Sequence, residues 1–135
     1  LEKNEIYVDN LVKEDVFVYV DDLRFRELIN NLIDNAVKYK INGKDGVVII
    51  KSKENEDNIT LSVADKGIGL KKEEVDDIFD ELYKSDESRH DLKSNGLGLS
   101  ICKRIIEKHG GRIWAESDGI NKGLRFIFTL PKKEQ

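Results

Sequence analysis

Four polar side chains recur along one predicted helix at a spacing that suits phosphate and metal binding. These residues are Arg24, Asn31, Asn35 and Lys38. They are separated by seven, four and three residues, so they lie along one side of an α-helix as a stripe. Asparagine forms helices poorly because its side chain competes for nearby backbone groups. Amide oxygens beside an ammonium group suit a hydrated Mg²⁺ ion and a phosphate, although a solvated helix face has a similar composition.

The helix that carries this stripe is predicted over residues 23–39 and is expected to end near Lys40. Asp21 and Asp22 precede it and can cap its first turn. Its apolar residues recur at helical spacing, so one side is expected to pack on a core. These residues are Phe25, Leu28, Ile29, Leu32, Ile33, Ala36 and Val37.

The overall composition is typical of a single soluble globular domain, which we take to span residues 1–135. Charged residues make up 37% of the chain and hydrophobic residues 39%. The net charge of −4 argues against nucleic-acid binding. No apolar run approaches the length of a membrane span and no signal peptide is visible, so we expect no membrane contact by this domain.

The single cysteine, Cys102, excludes an internal disulfide and fits a reducing, cytoplasmic compartment. Its expected role is packing on a helix. The chain begins with Leu1 and contains no Met, which indicates a fragment of a larger protein. Whether that parent protein is anchored to a membrane is left open.

The remaining elements are predicted from alternation and from turn formers. The alternation within residues 1–22 predicts one or two short strands, one around Ile6 and Val8 and another over residues 16–20. Further strands are predicted over 47–52, 59–64, 112–117 and 124–130. Two more helices are predicted over 72–83 and 96–109, and the intervening residues 84–95 are expected to form a long mobile loop of the kind that serves as a lid.

Asp65 follows a strand in which Ile59, Leu61 and Val63 alternate with small or polar residues. If the alternation continues, its carboxylate faces the apolar side and needs a donor from the protein or from a ligand. The alternative is that the strand ends at Ala64 and Asp65 begins a turn. Gly67 and Gly69 follow, and glycines at such positions allow a backbone to approach a flat ligand closely or mark a loop.

The third helix begins with two glycines, Gly96 and Gly98. Glycines at a helix N-terminus leave backbone N–H groups unobstructed, and the helix dipole there favours an anion. His90 lies in the loop before this helix and His109 at its end. A lone loop histidine such as His90 is more often solvated than catalytic.

In order and spacing, these features resemble the ATP-binding catalytic domain of sensor histidine kinases, in the GHKL ATPase superfamily. The resemblance extends from about Val18 to Leu130 and implies a two-layer α/β sandwich. In this architecture helices cover one face of a mixed sheet, and a mobile ATP lid closes the site. The implied activity is transfer of the γ-phosphate of Mg·ATP to a histidine.

The resemblance also implies roles for individual residues. Asn35 resembles the asparagine that binds Mg²⁺, while Asn31 and Lys38 resemble catalytic residues that contact phosphates or metal-bound waters. Tyr39 resembles the aromatic residue beside adenine, and Asp65 the aspartate that accepts a hydrogen bond from the adenine amino group. Other matching positions lie beside the base, at Gly67, Ile68 and Gly69, and at the phosphates, at Gly96, Leu97, Gly98 and Leu99.

Two departures from the family pattern fall in the loop before the third helix. Ser94 occupies the position of the first glycine of a Gly-x-Gly-x-Gly run, which restricts the lid. Lys84 stands where an arginine reaches the γ-phosphate, and lysine offers a point charge instead of a planar fork. Either Lys84 or Arg89 is then the cation expected at this phosphate.

The type of reaction is indicated by Asn31. In the hydrolytic ATPases and serine kinases of the superfamily a glutamate occupies this position, and an amide cannot act as a general base. A neutral histidine needs no such base, since its imidazole carries a lone pair at pH 7. The alternatives are a nucleotide-dependent binding module without transfer activity and a hydrolytic ATPase.

The phosphate acceptor is not expected in this chain. The family's acceptor motif is a histidine followed by an acidic residue, arginine, threonine and proline. Neither His90 nor His109 matches it, since His90 is followed by the acid alone, Asp91. The implied partners are a dimeric helical phospho-acceptor domain of the same protein and the receiver domain of a response regulator.

Overall fold

A computed structural model describes residues 6–14, 16–80 and 96–133. Within these ranges the chain forms a five-stranded sheet, two α-helices and a short 3₁₀ helix, Lys72–Asp77. The strands are β1 (Ile6–Asn10), β2 (Gly46–Glu54), β3 (Asn58–Asp65), β4 (Ile113–Glu116) and β5 (Leu124–Pro131). The helices are α1 (Asp22–Lys38) and α2 (Gly96–Lys108).

The strand order in the sheet is β1-β2-β3-β5-β4. β1 runs parallel to β2, and the other neighbouring strands are antiparallel. The β3–β5 register pairs Leu61 with Phe128 and Val63 with Phe126, so the buried side chains of both strands share one face.

That face carries both helices. α1 and α2 pack against each other and against the buried side of the sheet, while Thr60, Ser62 and Ile127 on the other side are half-exposed. The largest fully buried side chains are Phe126, Phe128, Leu28, Leu32, Ile59, Leu70, Ile78, Leu99, Ile106 and Leu124. The predicted two-layer α/β sandwich with a mixed sheet and helices on one face is confirmed.

Helix α1 begins where its sequence predicts. The carboxylate of Asp21 accepts a hydrogen bond from the Arg24 N–H at 3.1 Å, which satisfies one of the unpaired donors of the first turn. The helix ends at Lys38, two residues before the expected end, and the Tyr39 N–H still bonds to the Asn35 carbonyl oxygen.

The assignment of residues to the two sides of α1 is corrected at two positions. Val37 was expected in the core but is 41% exposed, whereas Asn35 is buried with 1% exposed. Val37 lies nine residues after Leu28, about two and a half turns on and so on the opposite side. Asn35 lies seven residues after Leu28, about 20° from the same line, and therefore points inward.

Two element predictions are also corrected. Residues 16–20 form no strand, although the Tyr19 N–H donates to the Pro131 carbonyl oxygen at 2.9 Å. The helix expected over 72–83 is the 3₁₀ helix 72–77 followed by a turn to residue 80. Tight i→i+3 turns of this kind bring both Ile78 and Phe79 to the core. The last three residues of the expected helix, which include Leu82 and Tyr83, lie outside the described residues.

Within the described ranges, neither α-helix is long and apolar enough to cross a membrane.

Candidate functional site

The most unusual side chain of α1 is Asn35. It is 1% exposed, and in the described part of the chain neither its amide nitrogen nor its amide oxygen has a hydrogen-bond partner. A buried amide without partners costs about 1–3 kcal/mol. An oxygen-seeking cation such as Mg²⁺ would satisfy the amide oxygen, so this residue fits a metal ligand better than it fits a core position.

The start of α2 lies next to Asn31. A Cβ atom built on Gly98 would be 3.6 Å from the Asn31 amide oxygen, so the first turn of α2 faces the polar residues of α1. Glycine at this position leaves room for a ligand between the two helices. The predicted phosphate residues Asn31 and Gly98 are therefore brought together, although they are 67 positions apart (98 − 31) in the sequence.

The same helix pair buries Cys102. The thiol lies 3.9 Å from the Leu28 carbonyl oxygen. Burial raises the pKa of the thiol to about 12, although a hydrogen bond with Asn31 lowers it in part. The thiol is therefore protonated at neutral pH and packs in the core, as the sequence predicts.

The other α1 residues differ in their exposure. Lys38 is exposed, as a side chain that meets a phosphate from solvent would be. Tyr39 is buried with 5% exposed. Arg24 pairs with Glu27 at 3.0 Å near the opposite end of the helix, so it is separated from the asparagines and lysine with which it shares a stripe.

Asp65 ends β3, and its half-buried carboxylate accepts a hydrogen bond from the Gly67 N–H at 2.8 Å. The strand therefore continues through Asp65, which was one of the two alternatives. A partly buried carboxylate requires hydrogen-bond donors, and the protein itself supplies at least one of them, the Gly67 N–H. This contact fixes one carboxylate oxygen at the start of the loop 66–70.

The loop 66–70 touches the end of α1. The Ile68 N–H donates to the Tyr39 carbonyl oxygen at 2.9 Å. A Cβ atom on Gly67 would overlap the same carbonyl group, so only glycine permits this approach. The loop after Asp65 is thus brought against Tyr39, while the start of α2 lies beside Asn31.

Several predicted residues of the lid region lie outside the described part of the structure. They are Lys84, Arg89, His90 and Ser94. Gly96 and Leu97 belong to the first turn of α2, and Leu99 is buried with 2% exposed.

His109 is held by both of its ring nitrogens. Nδ1 lies 2.7 Å from the Ile105 carbonyl oxygen, so it carries the proton, and Nε2 accepts a hydrogen bond from the Asp21 N–H at 3.1 Å. His109 therefore joins the end of α2 to the start of α1.

The sequence reasoning missed Ser117, whose hydroxyl accepts a hydrogen bond from the Leu70 N–H at 3.1 Å. Its only sequence signal is its place directly after β4, before a turn rich in glycine. Contact with the loop 66–70 depends on the β3–β5–β4 strand order and could not be read from that position.

The profile of the family "Histidine kinase-, DNA gyrase B-, and HSP90-like ATPase" matches residues 20–134. The chain belongs to this family. Within it, the chain is 38% identical to the sensor histidine kinase WalK of Bacillus subtilis (strain 168), over 136 aligned residues that include 99% of this chain. It spans only 22% of the length of WalK.

Solved structures agree with this relationship. The catalytic domain of histidine kinase ThkA superposes with a TM-score of 0.73 at 31% identity, covering 95% of this chain and 80% of that domain. ThkA in complex with response regulator protein TrrA matches with a TM-score of 0.72 at 30% identity over 96% of this chain and 34% of the matched chain. Full-length ShkA in complex with AMPPNP matches with a TM-score of 0.77 at 25% identity over 96% of this chain and 26% of ShkA. The predicted membership of the histidine kinase group of the GHKL superfamily is confirmed.

Proposed function

We propose that residues 1–135 are the catalytic domain of a sensor histidine kinase, which binds Mg·ATP and transfers its γ-phosphate to a histidine on a separate domain. The observation that carries this proposal is the buried amide of Asn35 on the polar stripe of α1, which has no hydrogen-bond partner among the described residues. A side chain in this state destabilises the free protein, and a bound cation would offset that cost.

At one end of the site, the Asp65 carboxylate would accept a hydrogen bond from the exocyclic amino group of adenine. A carboxylate accepts several hydrogen bonds, so accepting one from the Gly67 N–H is compatible with accepting another from adenine. Tyr39, Gly67, Ile68 and Gly69 would line the base. Their close backbone contacts hold the loop 66–70 against the end of α1.

At the other end, Asn31 and Lys38 would contact the phosphates, together with the N–H groups of Gly96, Leu97, Gly98 and Leu99 at the start of α2. A 13-residue helix concentrates partial positive charge at this end. Asn35 would bind Mg²⁺, which neutralises phosphate charge when bound. The cation at the γ-phosphate would be Lys84 or Arg89.

Transfer to histidine is favoured over hydrolysis because the position one turn before Asn35 is Asn31. An amide has no basic lone pair that could remove a proton from water. The acceptor is assigned to another domain because both ring nitrogens of His109 are already hydrogen-bonded. The domain would thus orient ATP and offset its charge while the partner supplies the nucleophile.

The proposed partners are a dimeric helical phospho-acceptor domain of the same protein and a response regulator receiver domain. ThkA has been solved in complex with the response regulator TrrA, and ShkA in complex with AMPPNP. These complexes support a nucleotide and a receiver domain as partners of this chain. We propose a cytoplasmic location without nucleic-acid or membrane contact by this domain.

Calorimetric titration of ATP, with and without Mg²⁺, tests binding. Asp65→Asn is expected to weaken ATP binding about 10- to 100-fold, since a hydrogen bond to a charged group contributes about 1.5–3 kcal/mol. The matched control is Asp57→Asn, which alters an exposed carboxylate in the turn between β2 and β3. Equal affinities for the parent chain and Asp65→Asn would contradict the adenine contact.

Labelled ATP tests transfer when a helical phospho-acceptor domain is added in trans. Label on the acceptor histidine supports the kinase, whereas binding without transfer supports the alternative of a nucleotide-dependent binding module. Steady phosphate release without an acceptor would support the hydrolytic ATPase and refute the inference from Asn31.

A further inference from the structure

The turn between β4 and β5 holds the loop that follows Asp65. Three hydrogen bonds join them: Asn121 N–H to Ile68 O at 2.7 Å, Gly123 N–H to Gly67 O at 3.1 Å, and Leu70 N–H to Ser117 Oγ at 3.1 Å. Two of these use only backbone groups. The third uses the side chain of Ser117, so a substitution of Ser117 removes this bond without removing a partner of the other two.

The Ser117 hydroxyl connects both segments. It accepts hydrogen bonds from the N–H groups of Leu70 and Gly119, at 3.1 and 3.3 Å, and donates to the Gly123 carbonyl oxygen at 2.7 Å. A hydroxyl has one proton and two lone pairs, so these three contacts use its full hydrogen-bonding capacity. Ser117 therefore fixes the turn 117–123 and the loop 66–70 relative to each other.

The packing between the two segments is tight. Gly69 has a φ of +66°, and a Cβ atom there would overlap the Gly119 carbonyl oxygen and lie 3.0 Å from Ser117 Oγ. On its other side, the loop is bonded to the Tyr39 carbonyl oxygen at the end of α1. The loop is thus held between the turn and α1, with little room to move sideways.

We propose that Ser117 is a positioning residue for base recognition. It holds the loop 66–70 so that the Asp65 carboxylate, fixed by the Gly67 N–H at 2.8 Å, faces the amino group of adenine while the phosphates reach α1. This inference rests on the proposed function. Without the hydroxyl, Leu70 loses its acceptor and the carboxylate loses its fixed direction, so selectivity for adenine falls more than affinity for the triphosphate.

The test compares ATP with inosine triphosphate, which has a carbonyl group where adenine has its amino group. Ser117→Ala is expected to weaken ATP binding about five- to tenfold, the effect of losing one or two net hydrogen bonds, and to weaken inosine triphosphate binding much less. The ratio of the two affinities therefore falls. Ser117→Thr, which keeps the hydroxyl, is expected to restore the ratio.

Thr129→Val is the matched control, because the Thr129 hydroxyl accepts a hydrogen bond from the Arg112 N–H at 3.1 Å on a part of β5 that does not contact the loop. It is expected to lower the melting temperature without changing the nucleotide ratio. Amide hydrogen exchange at Leu70 provides a measurement without nucleotide and is expected to accelerate in Ser117→Ala only.

The outcomes separate the two proposals. A parent chain that binds both nucleotides equally, or neither, overturns the adenine role of Asp65 and the role of Ser117 with it. A parent chain that prefers ATP, with the same preference in Ser117→Ala, overturns the positioning role alone. Faster exchange at Leu70 with an unchanged ratio also overturns it, because the hydroxyl would then stabilise the turn without influencing the base.

Discussion

Replacing Asn35 by leucine is expected to stabilise the free domain while abolishing its response to Mg·ATP. Leucine has the same branched shape as asparagine but no polar atoms. The site is buried with 1% exposed, and neither polar atom of the amide has a partner among the described residues. Asn35→Leu thus removes a polar group whose burial is uncompensated in the free protein.

The size of the effect follows from this burial. An unsatisfied buried polar group costs about 1–3 kcal/mol, and filling a packed site with a slightly larger apolar side chain costs up to about 1.5 kcal/mol. The net expectation for the free domain is a gain of about 1 kcal/mol, or roughly 3–5 °C in melting temperature for a domain of this size.

Urea and thermal unfolding with and without Mg·ATP measure both effects. At a nucleotide concentration 100 times the dissociation constant, the parent domain gains about 2.7 kcal/mol. Asn35→Leu is expected to lose most of this gain. The matched control is Asn30→Leu, the same exchange at an exposed α1 position, where changes within about 0.5 kcal/mol are expected.

Two results would refute the reasoning. A free Asn35→Leu domain that is less stable than the parent by more than about 1 kcal/mol would mean that the amide has partners in the free state. A variant that Mg·ATP stabilises as strongly as the parent would mean that Asn35 does not take part in binding the metal and nucleotide.

Three further predictions concern Cys102, the start of α1 and the outer face of the sheet. Because the pKa of Cys102 is raised to about 12, an aromatic disulfide reagent at pH 8 should react slowly with the thiol of the native protein and rapidly with the thiol in urea. The stability that the neutral thiol contributes is present below pH 9 and is lost as the pH rises towards 12. Rapid reaction of the native protein would contradict this burial. Asp21→Ala should lower the free energy of unfolding in urea by about 1 kcal/mol, because the N-cap is lost. The control Asp22→Ala removes an exposed ion pair with Arg26 and should lower it by less than about 0.5 kcal/mol. Equal losses in the two variants would argue against the cap. The hydrogen bond from Arg125 lowers the pKa of Glu116, so the pair contributes stability above the ordinary carboxyl pKa and loses it as the pH falls through the lowered value. Since both side chains are more than 40% exposed, Arg125→Ala should change stability by less than about 1 kcal/mol and should raise the Glu116 pKa in an NMR titration; an unchanged pKa would contradict the pairing.

Much of the fold was predictable because its signals are local. Alternation placed β3 and β5 within two residues of their observed ends, since each strand buries one face only. The cap at Asp21 likewise acts on its immediate neighbours. The errors fell on short segments, residues 16–20 and 72–80, where apolar side chains fit more than one backbone conformation.

The sequence indicates the candidate site as a set of residues, because the order and spacing of its motifs are properties of the sequence. This set includes Asn31, Asn35, Asp65 and the glycines of α2. The burial and the contacts of these residues could not be predicted in this way. Asn35 is buried because of how α1 packs against the sheet, and such packing is decided by groups distant in sequence.

The residues alone thus indicated the family and most of the helices and strands, and they supplied the polar groups proposed for nucleotide binding. Two long-range contacts depend on the folded arrangement: the Asp21 N–H donates to His109, 88 residues away, and the Leu70 N–H donates to Ser117, 47 residues away. The first requires α1 and α2 to pack against each other, and the second requires the strand order β3-β5-β4. These contacts have no local signal, because the sequence around a serine after a strand or a histidine at a helix end does not indicate which distant residue will contact it.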